Sequence, residues 1–163
     1  MGQEIERKYL LSSDAWKLLS HKTIHMHQGY LCNNEQSSVR IRIEDQSANI
    51  NIKSMTVGIS RAEYEYSIPV DEATELLDTL CKKPQIQKER YLVNYAGMLW
   101  EIDVFAGDNA GLIVAEVELE SEDERVELPK WVSKEVSHHE RYYNMRLARY
   151  PYSQWSEAEK RGD

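Results

Sequence analysis

Charged and apolar residues alternate along eight short segments of this chain, and this alternation constrains the fold more than any other feature. Side chains on a β-strand point to opposite faces with a period of two, so each segment would carry one charged face and one apolar face. The predicted strands are 2–11, 24–31, 38–45, 48–54, 60–69, 85–95, 98–105 and 112–121. The short polar links between several of them favour an antiparallel sheet that curls or closes on itself.

The remaining periodic segments predict helices that cover the apolar faces of this sheet. These segments are 14–20, 70–81, a short stretch near 132–136, and 140–149. The length predicts a single domain over 1–150, followed by a flexible, charge-rich tail over 151–163. The predicted fold class is therefore α+β, mainly antiparallel β: an eight-stranded closed tunnel barrel with flanking helices.

Like charges recur in pairs on the polar faces of these strands. The acidic pairs are Glu4 and Glu6, Glu63 and Glu65, Glu101 and Asp103, and Glu116 and Glu118; the basic set is Lys8, Arg40, Arg42, Lys53, Arg61, Lys88 and Arg90. For any one strand, a charged face that simply points into water is the simpler interpretation. Repeated like-charge pairs are costly, however, unless an ion of opposite sign lies between them. Divalent cations would neutralise the carboxylates, and phosphates would neutralise the Arg and Lys residues.

The charged faces would then line the inside of the barrel. An eight-stranded barrel encloses room for about one small ligand. Oxygen-rich carboxylate clusters select hard cations such as Mg²⁺ or Mn²⁺, and arginine pairs clamp phosphate oxygens in a fixed geometry. Metal ions combined with cationic clamps are what phosphoryl transfer requires.

Composition narrows the class of partner. The formal net charge of −8 argues against a nucleic-acid binder but allows a small polyanionic substrate. No apolar run is long enough for a transmembrane helix, and no signal-peptide pattern is recognisable, so we expect no membrane partner. Cys32 and Cys81 lie far apart without metal-ligand spacing, which fits a reduced, cytoplasmic location.

The residues also resemble a known family. Glu4-Ile5-Glu6-Arg7-Lys8 matches the N-terminal ExExK signature of the CYTH superfamily, the triphosphate tunnel metalloenzymes. The further matches, in order, are Gln28-Gly29-Tyr30-Leu31, Val39-Arg40-Ile41-Arg42, Ile52-Lys53, Ser60 to Glu65, Lys88-Glu89-Arg90-Tyr91, Trp100 to Phe105, Val114 to Leu119, Glu135-Val136 and Arg141 to Asn144. The ordered set covers about residues 3–149 and is most similar to the short bacterial members that hydrolyse inorganic tripolyphosphate.

This resemblance implies a role for each group of residues. The metal ligands it implies are Glu4, Glu6, Glu116 and Glu118, with Asp103 and Glu63 in support, for a two-metal site that holds Mg²⁺ or Mn²⁺. The residues that would hold the triphosphate are Lys8, Arg40, Arg42, Lys53, Lys88 and Arg90, and we assign Arg61 to this set. Glu63 or Glu65 would accept the proton of the attacking water, and Tyr30 would touch substrate or water. The resemblance also admits a homodimer.

Three alternatives to tripolyphosphate hydrolysis remain open from the sequence. Class IV adenylate cyclases of this family commonly carry a His-Phe pair shortly before ExExK, and no such pair precedes Glu4 here. Hydrolysis of nucleoside or thiamine triphosphate would need a surface for the organic group. A non-enzymatic polyphosphate-binding module would need the basic clamp more than the acidic pairs.

Overall fold

The alternating segments form strands that pair in antiparallel fashion. The computed structural model describes residues 2–163. Within that range the strands are β1 (Gln3–Leu11), β2 (Lys22–Asn33), β3 (Ser37–Glu44), β4 (Ser47–Ser54), β5 (Ser60–Ile68), β6 (Ile86–Tyr95), β7 (Met98–Phe105), β8 (Ile113–Glu118) and β9 (Val132–Glu135). The α-helices are α1 (Val70–Thr79), α2 (Asn144–Leu147) and α3 (Glu157–Lys160), and 3₁₀ turns lie at Ala15–Leu18, Gly107–Asn109, Glu140–Tyr142 and Tyr152–Gln154. No helix within this range is long and apolar enough to span a membrane.

Eight of these strands close into a barrel, which confirms the predicted fold. Their order is β5-β4-β3-β2-β6-β7-β8-β1, and β1 pairs back to β5. The closing seam is short, because only Gln3, Glu4 and Ile5 of β1 are paired with β5. On the other side of β1, residues from Glu6 to Tyr9 pair with β8.

The segment near 132–136 is a strand, so the helix predicted there is wrong. Strand β9 pairs with the end of β1, with Tyr9 opposite Glu135 and Leu11 opposite Val132. It takes the edge of β1 that β5 leaves free beyond the short seam. A strand at this position satisfies backbone groups that would otherwise form an open edge.

Two apolar layers cover the outside of the barrel, one of which is built on the predicted helix α1. The helix predicted over 14–20 is wrong, because this segment forms only a short 3₁₀ turn, Ala15–Leu18. Helix α1 places Ala73 and Leu77 against Ile41 of β3. On the opposite side, Trp16 and Trp131 belong to a cluster that includes Val93, Ile102 and Val117 of the sheet; its fully buried members also include Trp100. The polar strand faces are thereby left to face inward.

The C-terminal segment lies elsewhere than the sequence predicted. Ile86, Phe105 and Val114 are each two positions from Lys88, Asp103 and Glu116, so they share the inner strand faces at one end of the barrel. These apolar residues cluster with Tyr142, Leu147 and Trp155. The stretch after 136 therefore covers this end of the barrel instead of an outer face.

The stretch 151–163, for which the sequence predicts a flexible tail, is packed onto this cluster. Trp155 is 4% exposed, and its ring meets that of Tyr142 edge-on at a centroid distance of 5.0 Å. Ser156 and Glu159 form a capping box at the start of α3. A buried tryptophan and a capped turn are enough to order a short charged segment against the barrel.

Candidate active site

The inner strand faces enclose a cavity of about 280 Å³. Its wall includes residues from β1 to β8, from the loop between β4 and β5, and from the C-terminal segment. The predicted site residues that line it are Glu4, Glu6, Lys8, Tyr30, Arg40, Arg42, Lys53, Arg61, Glu63, Arg90, Glu116 and Glu118. Thus residues that are distant in sequence, such as Glu4, Arg40 and Glu116, come to border one space because alternate positions of a closed barrel face inward.

Three of the predicted residues lie outside the wall of this cavity. Lys88 and Asp103 are buried among the inner residues, and Glu65 is exposed. Glu65 still accepts a hydrogen bond from Asn51 Nδ2, at 3.3 Å. Of the two carboxylates that the sequence offers as proton acceptors, only Glu63 borders the cavity.

The carboxylates of β1 are held by cations from neighbouring strands. Lys53 Nζ donates to both carboxylate oxygens of Glu4, at 3.0 and 2.8 Å. Arg61 reaches Glu4 through Nε at 3.2 Å and Glu6 through Nη2 at 3.4 Å. Lys8 lies 3.0 Å from Glu6. Acidic and basic side chains thus neutralise one another on this side of the cavity.

Glu116 stays ionised despite its burial. It accepts from Lys8 Nζ at 2.5 Å and from Arg90 Nη2 at 3.1 Å. Burial by itself would raise the pKa of Glu116, but Lys8 and then Arg90 outweigh it and hold the pKa well below its usual range. Burial likewise opposes the charge on Lys8, but Glu116 and Glu6 raise the pKa of this lysine above its ordinary value.

Asp103, whose side chain has no exposed surface, anchors Arg90 in the wall. Arg90 donates to both oxygens of Asp103, at 2.7 and 2.8 Å, and it also contacts Glu101. Lys88 Nζ donates to Asp103 at 2.5 Å. Burial disfavours charge on both partners, but Asp103, Glu101 and Glu116 raise the pKa of Arg90, while Arg90 and Lys88 lower that of Asp103. The guanidinium is consequently fixed in one orientation.

An excess of positive charge lies on the β3 and β4 side of the cavity. Arg40 is 5% exposed, and its Nε has no hydrogen-bond partner. Arg61 and Arg90 each form ion pairs with carboxylates, whereas Arg40 forms none within residues 2–163. Burial, and next the charge of Arg40, lower the pKa of both Arg42 and Lys53. A buried cation that repels its neighbours favours an anion in the space beside it.

Glu63 faces this basic side and is held by an asparagine. Asn51 Nδ2 donates to Glu63 Oε1 at 2.5 Å, and Asn51 Oδ1 is buried without a partner. Burial would raise the pKa of Glu63, but Lys53 and the hydrogen bonds to its carboxylate lower it. Tyr30, paired with Arg40 in the register of β2 and β3, completes this part of the wall.

The carboxylates of the cavity fit a hard divalent cation by their chemistry. Burial, and next the neighbouring carboxylates Glu4, Glu63 and Glu6, raise the pKa of Glu118. Their donors are all oxygens, as Mg²⁺ and Mn²⁺ prefer. Across residues 2–163 no three His, Cys, Asp or Glu side chains form a ready-made metal site, and Glu4 is instead occupied by Lys53.

Several residues of the wall were not predicted from the sequence. Asn51 shares the inner face of β4 with Lys53, so the alternation carried a signal that could have found it. Glu101 was recognised as half of an acidic pair but was not assigned to the site. Tyr143 and Asn144 line the cavity from the C-terminal segment, and only their place in the family motif pointed to them, because the periodicity there predicted a covering helix.

Comparisons with known proteins identify similar chains. A family model of the CYTH domain matches residues 2–146. An inorganic triphosphatase of Acetivibrio thermocellus is 43% identical over 157 residues, which cover 96% of this chain and 100% of that protein. An inorganic triphosphatase of Nitrosomonas europaea is 35% identical over 150 residues, which cover 89% of this chain and 96% of that protein. The crystal structure of the inorganic triphosphatase NE1496 superimposes with a TM-score of 0.65 at 31% identity, over 91% of this chain and 95% of that one.

Proposed function

This chain belongs to the CYTH domain family, and on that basis we propose that it is a metal-dependent triphosphatase, a hydrolase that acts on inorganic tripolyphosphate inside its charged barrel. The relatives at 43% and 35% identity are both inorganic triphosphatases. The substrate is therefore a triphosphate or polyphosphate, and the bond cleaved is the terminal phosphoanhydride.

The unpaired Arg40 is the observation that carries this proposal. It is buried, it borders the cavity, and its charge disfavours the charged forms of Arg42 and Lys53. Protein carboxylates neutralise the other cations of the wall, but they leave this group without a counter-ion. A phosphate chain placed along β3 and β4 would supply that counter-ion and could accept paired hydrogen bonds from the guanidinium groups.

The family implies dependence on a divalent metal ion. We propose Mg²⁺ or Mn²⁺ in a two-metal site held by Glu4, Glu6, Glu116 and Glu118. When bound, such ions neutralise phosphate oxygens and lower the pKa of a water molecule. Asp103, which the sequence assigns to the same set, would support the site by fixing Arg90.

The side chains of the wall would exchange partners when substrate enters. Lys53 and Arg61 leave the carboxylates of β1 for phosphate oxygens, which frees Glu4 and Glu6 as ligands. The residues that bind the phosphate chain are Lys8, Arg40, Arg42, Lys53, Arg61 and Arg90. Lys88, which the sequence assigns to the same set, lies behind the wall and acts through its contact with Asp103. Glu63 is ionised and borders the cavity, so it is better placed than Glu65 to accept the proton of the attacking water. Tyr30 would contact substrate or water.

Substitution of Arg40 tests the proposal at the residue that carries it. We expect Arg40→Ala to weaken the binding of tripolyphosphate by about 10- to 100-fold, because hydrogen bonds to charged groups each contribute about 1.5–3 kcal/mol. Affinity is measured by titration calorimetry with tripolyphosphate in EDTA, where no metal-dependent turnover occurs.

The control is Arg125→Ala, which removes one exposed arginine and changes the net charge equally. We expect this variant to bind like the wild type. Equal affinity of Arg40→Ala and Arg125→Ala would mean that the basic side of the cavity does not hold the substrate, and the proposal would fail.

The other expectations from the sequence stay predictions. They are a single domain, a cytoplasmic location, a homodimer, and the absence of nucleic-acid and membrane partners. The net charge of −8 argues against a nucleic-acid partner and still allows a small polyanionic substrate.

A further inference from the structure

Tyr143 joins three parts of the molecule at the wall of the cavity. Its ring lies against the guanidinium of Arg61, 5.2 Å from ring centroid to Cζ. Its hydroxyl accepts a hydrogen bond from the backbone N–H of Gly58 and donates one to the carbonyl of Ser137, both at 3.2 Å. Tyr143 is 7% exposed, so these contacts are largely shielded from water.

The contact with Arg61 lies at the closing seam of the barrel. Arg61 is paired with Glu4 in the register of β1 and β5, and its side chain bridges Glu4 and Glu6. Only three residue pairs join the two strands at this seam. An aromatic ring beneath the guanidinium limits its movement and favours its charge.

The hydroxyl of Tyr143 fixes the loop between β4 and β5. Met55, Thr56 and Val57 of this loop line the cavity, and Gly58 follows them with a φ of +127°. The N–H of Gly58 is part-buried, and Tyr143 is its hydrogen-bond partner. Without that partner the loop would leave a part-buried donor unsatisfied, which favours a more open position.

We propose that Tyr143 is a positioning residue for substrate binding: it holds Arg61 toward the cavity and keeps the loop 55–57 closed over it. This inference rests on the proposed function, since its ligand is tripolyphosphate. A site whose cation and wall are already in place loses less freedom when the ligand binds, so affinity depends on Tyr143 even without direct contact.

Two substitutions separate the hydroxyl from the ring. Tyr143→Phe keeps the ring against Arg61 and removes both hydroxyl contacts, so we expect the affinity for tripolyphosphate in EDTA to fall about 3- to 10-fold. Tyr143→Leu also removes the ring, and we expect a further loss of about 3-fold or more. In the turnover assay we expect KM to rise while kcat changes less than about 2-fold. The reason is that positioning for binding stabilises the substrate complex and the transition state equally.

Tyr142→Phe is the matched control. Tyr142 is the neighbouring residue, it is 2% exposed, and its hydroxyl donates to the carbonyl of Glu159 away from the cavity. This variant loses one buried hydroxyl from the same segment, so a merely structural effect would appear in both variants. We expect similar losses of unfolding free energy for Tyr142→Phe and Tyr143→Phe, but a change in affinity only for the latter.

A double-mutant cycle tests whether the ring acts through Arg61. In an Arg61→Ala background, we expect Tyr143→Leu to bind tripolyphosphate as well as Tyr143→Phe does, because the ring has no guanidinium left to hold. An unchanged difference between the two in that background would overturn the role assigned to the ring. Wild-type affinity in both Tyr143 variants would overturn the inference as a whole.

The failure of this inference differs from failure of the proposed function. If wild-type protein neither binds nor hydrolyses tripolyphosphate, both are wrong. If it does both, and the variants at Tyr143 bind like Tyr142→Phe, then only the role of Tyr143 is wrong.

Discussion

Asp103 illustrates how single residues shape this site from behind its wall. Its carboxylate has no exposed surface and accepts hydrogen bonds from Lys88 and from two nitrogens of Arg90. Burial lowers the pKa of Lys88 to about 7 despite its contact with Asp103, whereas Arg90 keeps its charge and also contacts Glu116 and Glu101. The group is a buried charge network whose parts depend on each other.

Asp103→Asn should therefore destabilise the fold. The amide carries no charge to balance Lys88 and Arg90, and leaving buried charges uncompensated costs about 3–5 kcal/mol. Urea unfolding of the metal-free protein measures the loss. Asp108→Asn, the same change at an exposed position just beyond β7, should stay within about 0.5 kcal/mol of the wild type. If the two variants had equal stability, Asp103 would not organise this network.

For single residues, the sequence predicted which side chains face inward but not which groups each side chain contacts. The period of two places Glu101 and Asp103 on one face of β7, and both do face inward. It does not give the depth of each residue along the barrel axis, which depends on the stagger between strands. The pattern therefore does not distinguish Glu101, which lines the cavity, from Asp103, which lies behind its wall.

Strand β2 and helix α1 show how one element positions another. Helix α1 covers β2 at Gly29, where an added Cβ would lie 3.0 Å from Cys81 Cβ and 3.1 Å from Leu77 Cδ2. The glycine therefore permits a close approach of the helix to the strand. Because α1 covers the outer face of β2 and β3, this contact helps to orient the strands that carry Tyr30 and Arg40 into the cavity.

Gly29→Ala should lower the free energy of unfolding by about 1–3 kcal/mol, since a methyl group would overpack this contact. The loss should be smaller in a Leu77→Ala background, where one of the neighbouring side chains is shortened. Urea unfolding of the four proteins in this cycle measures the coupling. An unaltered stability of Gly29→Ala would show that α1 moves away without cost.

The C-terminal elements were the hardest to predict from the sequence. The stretch from Glu140 to Leu147 has apolar residues at helical spacing, but it folds as a 3₁₀ turn followed by a single turn of helix. Tyr142 and Leu147 pack onto the barrel end while Tyr143 and Asn144 face the cavity. The shape of the barrel end decides this arrangement, and local periodicity carries no information about that shape.

The whole molecule places a charged interior inside an apolar layer. The eight alternating segments predict the strands and a sheet that closes on itself, but they do not give the strand order, in which β2 pairs with β6 and β8 pairs with β1. The charge balance of the interior was not predictable from the sequence, because its ion pairs join side chains from different strands. Glu116 with Lys8, from β8 and β1, is one such pair.

This charge balance predicts the response of stability to acid. Folding lowers the pKa of Glu116 and Asp103 from their usual values of 4.5 and 3.8. The contribution of these two carboxylates to the free energy of unfolding is therefore present above those pH values and is lost as the pH falls below them. Burial raises the pKa of Glu101 and Glu118, so protonation of these two favours the folded state. We therefore expect the free energy of unfolding in EDTA to fall mainly below about pH 4.5.

Glu116→Gln should flatten this dependence, because the amide no longer titrates. Glu127→Gln, an exposed position, should keep the wild-type profile. The measurement is urea unfolding at a series of pH values between about 3 and 7. A Glu116→Gln protein with the same acid dependence as the wild type would contradict the role given to this carboxylate.

The measurement that tests the central claim most directly is the initial rate of orthophosphate release from tripolyphosphate. It is made with Mg²⁺, with Mn²⁺ and with EDTA, beside ATP and thiamine triphosphate, and with an assay for cyclic AMP. We predict rapid, metal-dependent release from tripolyphosphate, slower release from the two organic triphosphates, and no cyclic AMP. Cyclic AMP formed from ATP, or tight binding of tripolyphosphate without any release, would contradict the assignment of this barrel as a triphosphatase.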